Sequence, residues 1–288
     1  MIRCLQHEWH DVETDTSSVG RRLGVGRLAV VRRPGRSVVC QAYASSPLKL
    51  LTPTNHGHAA WVYASSYGGG LVDGDDLAIH MVVGRGACAF VSTQASTKVY
   101  KSPSGTAVET TAAVAEGGLL ILAPDPVVCF ARSRYHQRQR VELEAGAALV
   151  LVDWVSSGRR ESGERWAFDE YVSRTVVRLD GQLRVHDGLA LRSVDGDLAS
   201  RFADYDVLAV VVVLGASLRE DVERVRARIE KESTAQWSNQ LVASAPIGEW
   251  GCVIRIAGRS VEQVGRTVRD LLDFVPTRLG DNPWARKW

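Results

Sequence analysis

The chain has 288 residues, 45% of them hydrophobic and 24% charged, with a formal net charge of +2. That length allows one large domain or two ordinary ones, with enough apolar material for a sizeable core. So neutral a balance excludes a chain drawn wholesale to nucleic acid or to an anionic membrane.

Residues 1–23 are polar and rich in Ser, Thr and Asp, and are expected to form a loosely held arm ahead of a single domain over residues 24–288. Residues 1–11 include acids and no apolar h-region, so no secretory signal is expected. The longest apolar run, Val207–Leu214, is far short of the roughly 20 residues a membrane span needs. The five cysteines, Cys4, Cys40, Cys88, Cys129 and Cys252, are scattered, odd in number and never spaced as CxxC. That usage fits a reducing compartment and a cytoplasmic location, and argues against a disulfide framework or a structural zinc site. Three of them fall in apolar strand-like stretches, where a cysteine acts as a small buried hydrophobe.

From Leu23 onward the pattern predicts strand after strand, over residues 27–33, 37–43, 59–65, 77–83 and 88–93. β-Branched and small residues dominate, with Gly, Pro or Asp between them at short intervals. Gly86, Gly118 and Gly146 each precede an apolar run and follow one another at nearly equal intervals. Near-periodic strand units of that length point to stacked coils that bury a shared core; a plain sandwich of similar hairpins is the alternative. Helix signals come late. Ser217 to Glu220 reads as a capping box before Val222, Val225 and Ile229, predicting a helix to about Lys231. Ser260 to Gln263 reads as a second, before Val264, Val268, Leu271 and Leu272, with Pro276 as the stop. Each helix follows an apolar strand, so a β-α-β-α tail closes a mainly β body.

Residues 67–102 are the most informative stretch. Gly68, Gly69 and Gly70 are followed by Asp73, Asp75 and Asp76 around Gly74, and then by a Thr/Gln/Ser/Thr tract ending in Lys98. Glycine runs persist where the chain takes φ > 0 or lets another group approach closely. There is no GxxxxGK[ST] loop, GxSxG elbow or HExxH, so no local nucleotide, acyl-transfer or zinc-hydrolase chemistry is legible. The pairs His7/His10 and His56/His58 lack the further converging ligands a tight metal site wants. In Arg132-Ser-Arg-Tyr-His-Gln-Arg-Gln-Arg140 a strand would put Arg132, Arg134, His136, Arg138 and Arg140 on one face, opposite Ser133, Tyr135, Gln137 and Gln139. Such a face could meet an acidic partner, or could simply keep a sheet edge solvated. Nucleic acid is not expected, given the few interleaved aromatics.

Several segments in order resemble the urease accessory protein UreD (UreH) family. They are Pro47-Leu-Lys-Leu-Leu-Thr-Pro53, Gly68-Gly-Gly-Leu-Val-Asp-Gly-Asp75, Ser92-Thr-Gln-Ala-Ser-Thr-Lys-Val-Tyr100 and the stretch opening Ala123-Pro-Asp-Pro. The Arg-rich segment, Gly158-Arg-Arg-Glu-Ser-Gly-Glu164 and the Pro-Trp-Ala-Arg-Lys-Trp end complete the series. The spelling around Gly158–Glu164 looks closest to plant, algal or fungal members. The resemblance implies a mainly β, β-helix-like body with a few helices and a non-enzymatic role in assembling the dinuclear nickel centre of urease. It implies a UreF-type partner, a UreG-type GTPase recruited through it, and apo-urease, with nickel(II) as transient cargo and no tightly bound cofactor. On that basis Asp75, Thr93, Gln94 and Glu164 are expected to line a polar passage for the ion, with Lys98 pairing a carboxylate to shape it. Arg132, Arg134, Arg138 and Arg140 are the expected partner-binding face. The alternatives are a scaffold with no metal contact, and a β-solenoid polysaccharide-acting enzyme using Asp73, Asp75 and Asp76 as its acid and base.

Overall fold

The computed structural model describes residues 22–231 and 240–286. The expected arm as far as residue 21, with Cys4 and the His7/His10 pair, lies outside the described residues, as do Lys287 and Trp288 of the C-terminal motif. A hairpin of β1 (Arg22–Arg33) and β2 (Arg36–Ala44) leads through β3 (Leu48–Leu51) to β4 (Ala60–Ser66). The chain then winds in coils. One coil holds β5 (Asp75–Val83), β6 (Cys88–Thr93) and β7 (Thr97–Val99). The next holds β8 (Thr106–Val114), β9 (Leu119–Leu122) and β10 (Val127–Cys129), and a third holds β11 (Arg134–Leu143) and β12 (Ala148–Ser156). A second hairpin, β13 (Glu170–Leu179) and β14 (Gln182–Arg192), precedes α1 (Leu198–Arg201), β15 (Val207–Leu214) and α2 (Arg219–Lys231). β16 (Gln240–Pro246), β17 (Gly251–Gly258), α3 (Val261–Leu271) and α4 (Val275–Leu279) follow.

Successive coils stack in parallel, giving two facing sheets among the described residues. One runs β14-β13-β11-β8-β5-β1-β2 and the other β16-β17-β15-β12-β9-β6-β4-β3, with β7 and β10 forming a short third side beside β12. The body is mainly β and its sheets do not close, so the expected stacked coils are present. The coil period is written in the registers: Cys88 pairs with Leu119 and Leu119 with Ala148, two nearly equal steps along the chain. The left-handed turn glycines keep the same spacing at Gly86 (φ 60°), Gly117 (φ 68°) and Gly146 (φ 78°). Gly117, not the expected Gly118, is thus the equivalent position. Gly118 is required for another reason, since a Cβ there would meet the Ala115 carbonyl oxygen at 2.8 Å. Gly117→Ala is expected to cost about 1–2 kcal/mol by forcing an L side chain into the left-handed region. A urea titration reading the midpoint checks this.

The two sheets differ in what they bury, and their sequences differ accordingly. Strands of the second sheet are covered on both faces and read as apolar runs, as in Cys88–Thr93 and Val207–Leu214. Inward they meet Met81, Val114, Val141 and their neighbours from the first sheet. Outward, Phe90, Ile121, Val150 and Ile254 pack against Val222 and Val225 of α2 and Val264, Val268 and Leu271 of α3. The first sheet has one open face, so β11 alternates buried and exposed almost without fault. Arg134, His136, Arg138 and Arg140 point outward while Tyr135, Gln139 and Val141 point in. Arg132 is a correction to the expected face: the strand starts at Arg134, and Arg132 sits in a left-handed turn at φ 59°.

Both long helices form, and their ends refine the sequence reading. Ser260 caps α3, its hydroxyl accepting from the Gln263 amide at 3.2 Å. Ser217 caps nothing as a box: it lies inside a 3₁₀ turn, Ala216–Leu218, that runs straight into α2. Pro276 stands in the first turn of α4, where its missing amide proton would have no helical partner anyway, so it starts a helix as well as following one.

Candidate functional site

Between the sheets lies a cavity of about 250 Å³, room for several waters, whose walls change character along its length. Its lining combines Leu28, Ile79 and Met81 with Gln137 and Gln139 from the first sheet, and Thr93, Gln94, Asp125 and Asp153 from the second sheet and the loops beside it. Asp153 carries most of the chemistry. It lies in β12 two residues from both Leu151 and Val155, all facing inward, so a carboxylate, half-buried where it borders the cavity, projects between side chains of the apolar core. Gln137 Nε2 donates to its Oδ1 at 2.8 Å and Ser173 Oγ donates to its Oδ2 at 2.5 Å. Burial pushes the Asp153 carboxyl above the ordinary aspartate range, opposed by those hydrogen bonds and reinforced by nearby Asp187.

Asp153 belongs to a polar layer crossing the interior. On the first sheet, Gln139 Nε2 donates to Thr175 Oγ1 at 3.2 Å, Gln139 pairs in register with Thr110 on one side, and Thr175 pairs with Asp187 on the other. Directly paired residues share a face, so Thr110, Gln139, Thr175 and Asp187 form one inward row. On the second sheet, Val210 lies in register between Asp153 and Arg255. Arg255 donates to Asp187, tying β17 to β14 between the sheets. At the other end Thr93 and Asp125 hold each other: the Asp125 amide donates to Thr93 Oγ1 at 2.8 Å, and that hydroxyl lies 3.3 Å from Asp125 Oδ2. The layer therefore reaches from the Thr93–Asp125 pair, through Asp153, to the Asp187–Arg255 pair. A column of carboxylates, amides and hydroxyls can carry a hydrated cation and offers no rigid cage.

Of the residues expected to line a passage, Thr93 and Gln94 border this cavity. Asp75 and Glu164 lie instead at the corner where coils turn into the first sheet. Asp75 is 2% exposed, its Oδ2 accepting from the Val72 amide at 2.8 Å, and its Oδ1 is buried with no hydrogen-bond partner. It borders a second, outer cavity of about 360 Å³ shared with Asp76, Glu109, His136 and Arg138. Glu164 accepts from Arg159 Nε at 3.0 Å and from the Ala131 amide at 3.2 Å, and Arg159 holds its carboxyl below the usual range. Lys98 is exposed on β7 and has no carboxylate partner among the described residues. Asp125, Asp153, Asp187 and Arg255 were not singled out from the sequence. The available signal was a lone acid at an inward position of the run Ala148–Ser156, and glutamines opposite the arginines of β11.

Burial raises the thiols of Cys88 and Cys129 to about 12 and that of Cys252 to about 11, so these three stay protonated, poor ligands for an ion. Among the described residues no three His, Cys, Asp or Glu side chains converge on one point, and no helix is long and apolar enough to cross a membrane. His58 packs against Gly280, and the His56 amide donates to Asp281 Oδ2 at 2.8 Å.

A profile of the UreD urease accessory protein family matches residues 23–288. The chain belongs to the UreD family. It is 50% identical over 269 residues to "Urease accessory protein UreD" of Sorangium cellulosum, covering 93% of this chain and 85% of that one. It is 40% identical to the Anaeromyxobacter protein of that name, covering 93% and 91%, and 38% identical to "Urease accessory protein D" of Oryza sativa subsp. indica, covering 95% and 99%. The family's motifs thus frame the cavity and its corner in this chain. The spelling around Gly158–Glu164 pointed to plant, algal or fungal members rather than bacterial ones, whereas the identity is higher to the bacterial Sorangium protein than to the rice one. The role that follows is an accessory one in urease maturation.

Proposed function

We propose that this chain is a cytoplasmic, non-catalytic maturation factor that binds a UreF-type protein and, through it, a UreG-type GTPase. The assembly docks on apo-urease and inserts nickel(II) in a GTP-dependent step, with the ion passing through the polar layer between the sheets. The observation that carries this reading is Asp153: a carboxylate in an apolar core, bordering a cavity and continuous with polar rows to either side.

Delivery needs the reverse of a tight site. Nitrogen, oxygen and sulfur sites favour copper(II) over nickel(II), and each tenfold in affinity deepens the well the ion must leave by about 1.4 kcal/mol. Oxygen donors with retained water let nickel step forward without stripping its hydration, whose loss in an apolar core would be prohibitive. The protonated thiols of Cys88, Cys129 and Cys252 fit a path without traps.

The test is co-purification with a UreF-type protein and apo-urease, then activation with nickel, UreG-type GTPase and GTP. A stable complex that activates urease supports the reading; neither complex nor activation overturns it. Asp75→Ala and Glu164→Ala address the outer corner. Each is expected to bind partners normally and to lower activation severalfold; unchanged activation in both would confine the passage to the Asp153 layer. Scaffolding without metal contact is the competing reading, and the outward arginines favour it. It expects charge reversal at Arg134 and Arg138 to abolish activation through lost binding, with interior variants silent.

A further inference from the structure

Across β8, β11 and β13 the outward face of the first sheet has more cations than acids to hold them. The carboxylates on or beside β8, β11 and β13 are already engaged. Glu109 holds Arg140 at 2.7 Å, Asp169 meets Arg134 at 3.6 Å, and Glu142 meets Arg178 at 3.7 Å. Glu170 takes both Arg192 at 2.7 Å and His136 at 3.2 Å. Arg138 and Arg174 remain. They are directly paired between β11 and β13, both are exposed, and neither has an ion pair among the described residues. Parallel neighbours at about 4.8 Å put two guanidinium stems side by side, an arrangement that repels itself in the free protein.

The ground on the Arg174 side of the pair is low. Gly188 lies beside Arg174 with nothing but open space over its Cα beyond one backbone oxygen, and Val172 and Val176 are the outward neighbours of Arg174 along β13. On the other side Arg138 has Glu109 in register on β8, with His136 and Arg140 outward along β11, and Glu109 is held by Arg140. The flat, short-chained side lets another chain approach over β13 and β14 and reach both forks.

We infer that Arg138 and Arg174 form a carboxylate-binding site that docks an acidic segment of a protein partner on the open face of the first sheet. Two adjacent guanidinium forks match carboxylates in bidentate geometry, and binding would relieve the repulsion between them. Two isolated forks offer no run of cations for a continuous phosphate backbone, and the net charge of +2 adds no general pull toward one. Arg174 extends the arginine face beyond β11, which local strand periodicity could not supply. The inference rests on the accessory-protein reading only for there being a protein partner; the site itself is testable without it.

The probe is a fluorescently labelled hexaglutamate peptide, titrated at low salt with the full chain. Arg138→Ala/Arg174→Ala is expected to weaken it at least about tenfold, since charge-assisted bonds are lost on both sides. Arg27→Ala, an exposed arginine on β1 of the same sheet, well away from the pair, is expected to leave it unchanged. Equal binding by the double variant overturns the inference. So does tighter binding of a single-stranded oligonucleotide of equal charge, or competition by inorganic phosphate at the peptide's own concentration. Peptide binding by a chain that forms no complex with UreF-type protein or apo-urease would sink the proposed function and leave the site standing. A double variant that loses the peptide but still assembles with both proteins overturns the docking role and spares that function.

Discussion

Asp153→Asn is expected to leave the protein folded and able to assemble with its partners, while slowing nickel-dependent activation of urease at least about tenfold, the equivalent of about 1.4 kcal/mol on one step. Asparagine is nearly isosteric, can still accept from Gln137, and can donate to the Ser173 hydroxyl, so both contacts of the native carboxylate survive in changed polarity. What is lost is the negative charge at the middle of the layer. Activation would be followed as urease activity against nickel concentration, with co-purification measured in parallel. Activation indistinguishable from wild type would remove the interior carboxylate from the ion's path.

The same variant makes a prediction about pH. A free aspartate titrates near about 3.9, and burial raises Asp153 above that in the folded chain. A carboxyl with a raised folded pKa binds its proton more tightly folded than unfolded. Its contribution to stability therefore falls as pH rises from the unfolded value to the folded one, and the penalty stays in full above it. Asp153→Asn removes that slope and is expected to be at least as stable as wild type at neutral pH. Urea titrations of both proteins from acid to neutral pH would show it, and a variant less stable than wild type at neutral pH would contradict it. A residue that costs stability where it sits is one retained for function.

Asp221→Ala is expected to cost about 3 kcal/mol of unfolding free energy, the range for stripping charged hydrogen bonds from a buried ion. Asp221 is 1% exposed on α2. Its Oδ2 accepts from Arg278 Nε at 3.0 Å and Nη2 at 2.6 Å, and its Oδ1 accepts from Arg224. Arg278 is on α4, so this one carboxylate clamps two helices across the outer face of the second sheet. Next to it, the Leu279 carbonyl accepts from the His58 amide at 3.1 Å, which ties α4 to the start of the coils. The arginines keep some solvent contact, which holds the cost toward the lower end for a broken buried pair. Asp221→Leu with Arg278→Met should recover part of the loss, because apolar replacements of matched volume need no compensation. Thermal unfolding of both variants decides this; a single variant within about 0.5 kcal/mol of wild type, as at an ordinary surface site, would show the clamp to be idle.

Much of the strand body was legible because its causes are local. Alternation in β11 follows from one open face, and apolar runs such as Val207–Leu214 follow from two covered ones. The coil period showed through the glycines because each coil needs a left-handed turn at the same place, even though Gly118 stood in for Gly117. The polar tract at Thr93 and Gln94 was visible as polarity out of place, and it does border the cavity.

The remainder was set by register across long separations. Asp153 meets Ser173 across 20 positions and Gln137 across 16, and Arg255 meets Asp187 across 68. Nothing near any of these residues in the chain encodes the meeting. The same holds for Arg138 and Arg174, which become neighbours only because β13 stacks on β11 in one particular register. Local composition and periodicity thus determined that this protein is a stack of short strands with a helical tail, and its motifs determined its family. Which polar groups share the interior, and which arginines are left without an acid, only the tertiary structure decided. Burial and charge pairing depend on what the fold brings within a few ångströms, and sequence distance does not record that.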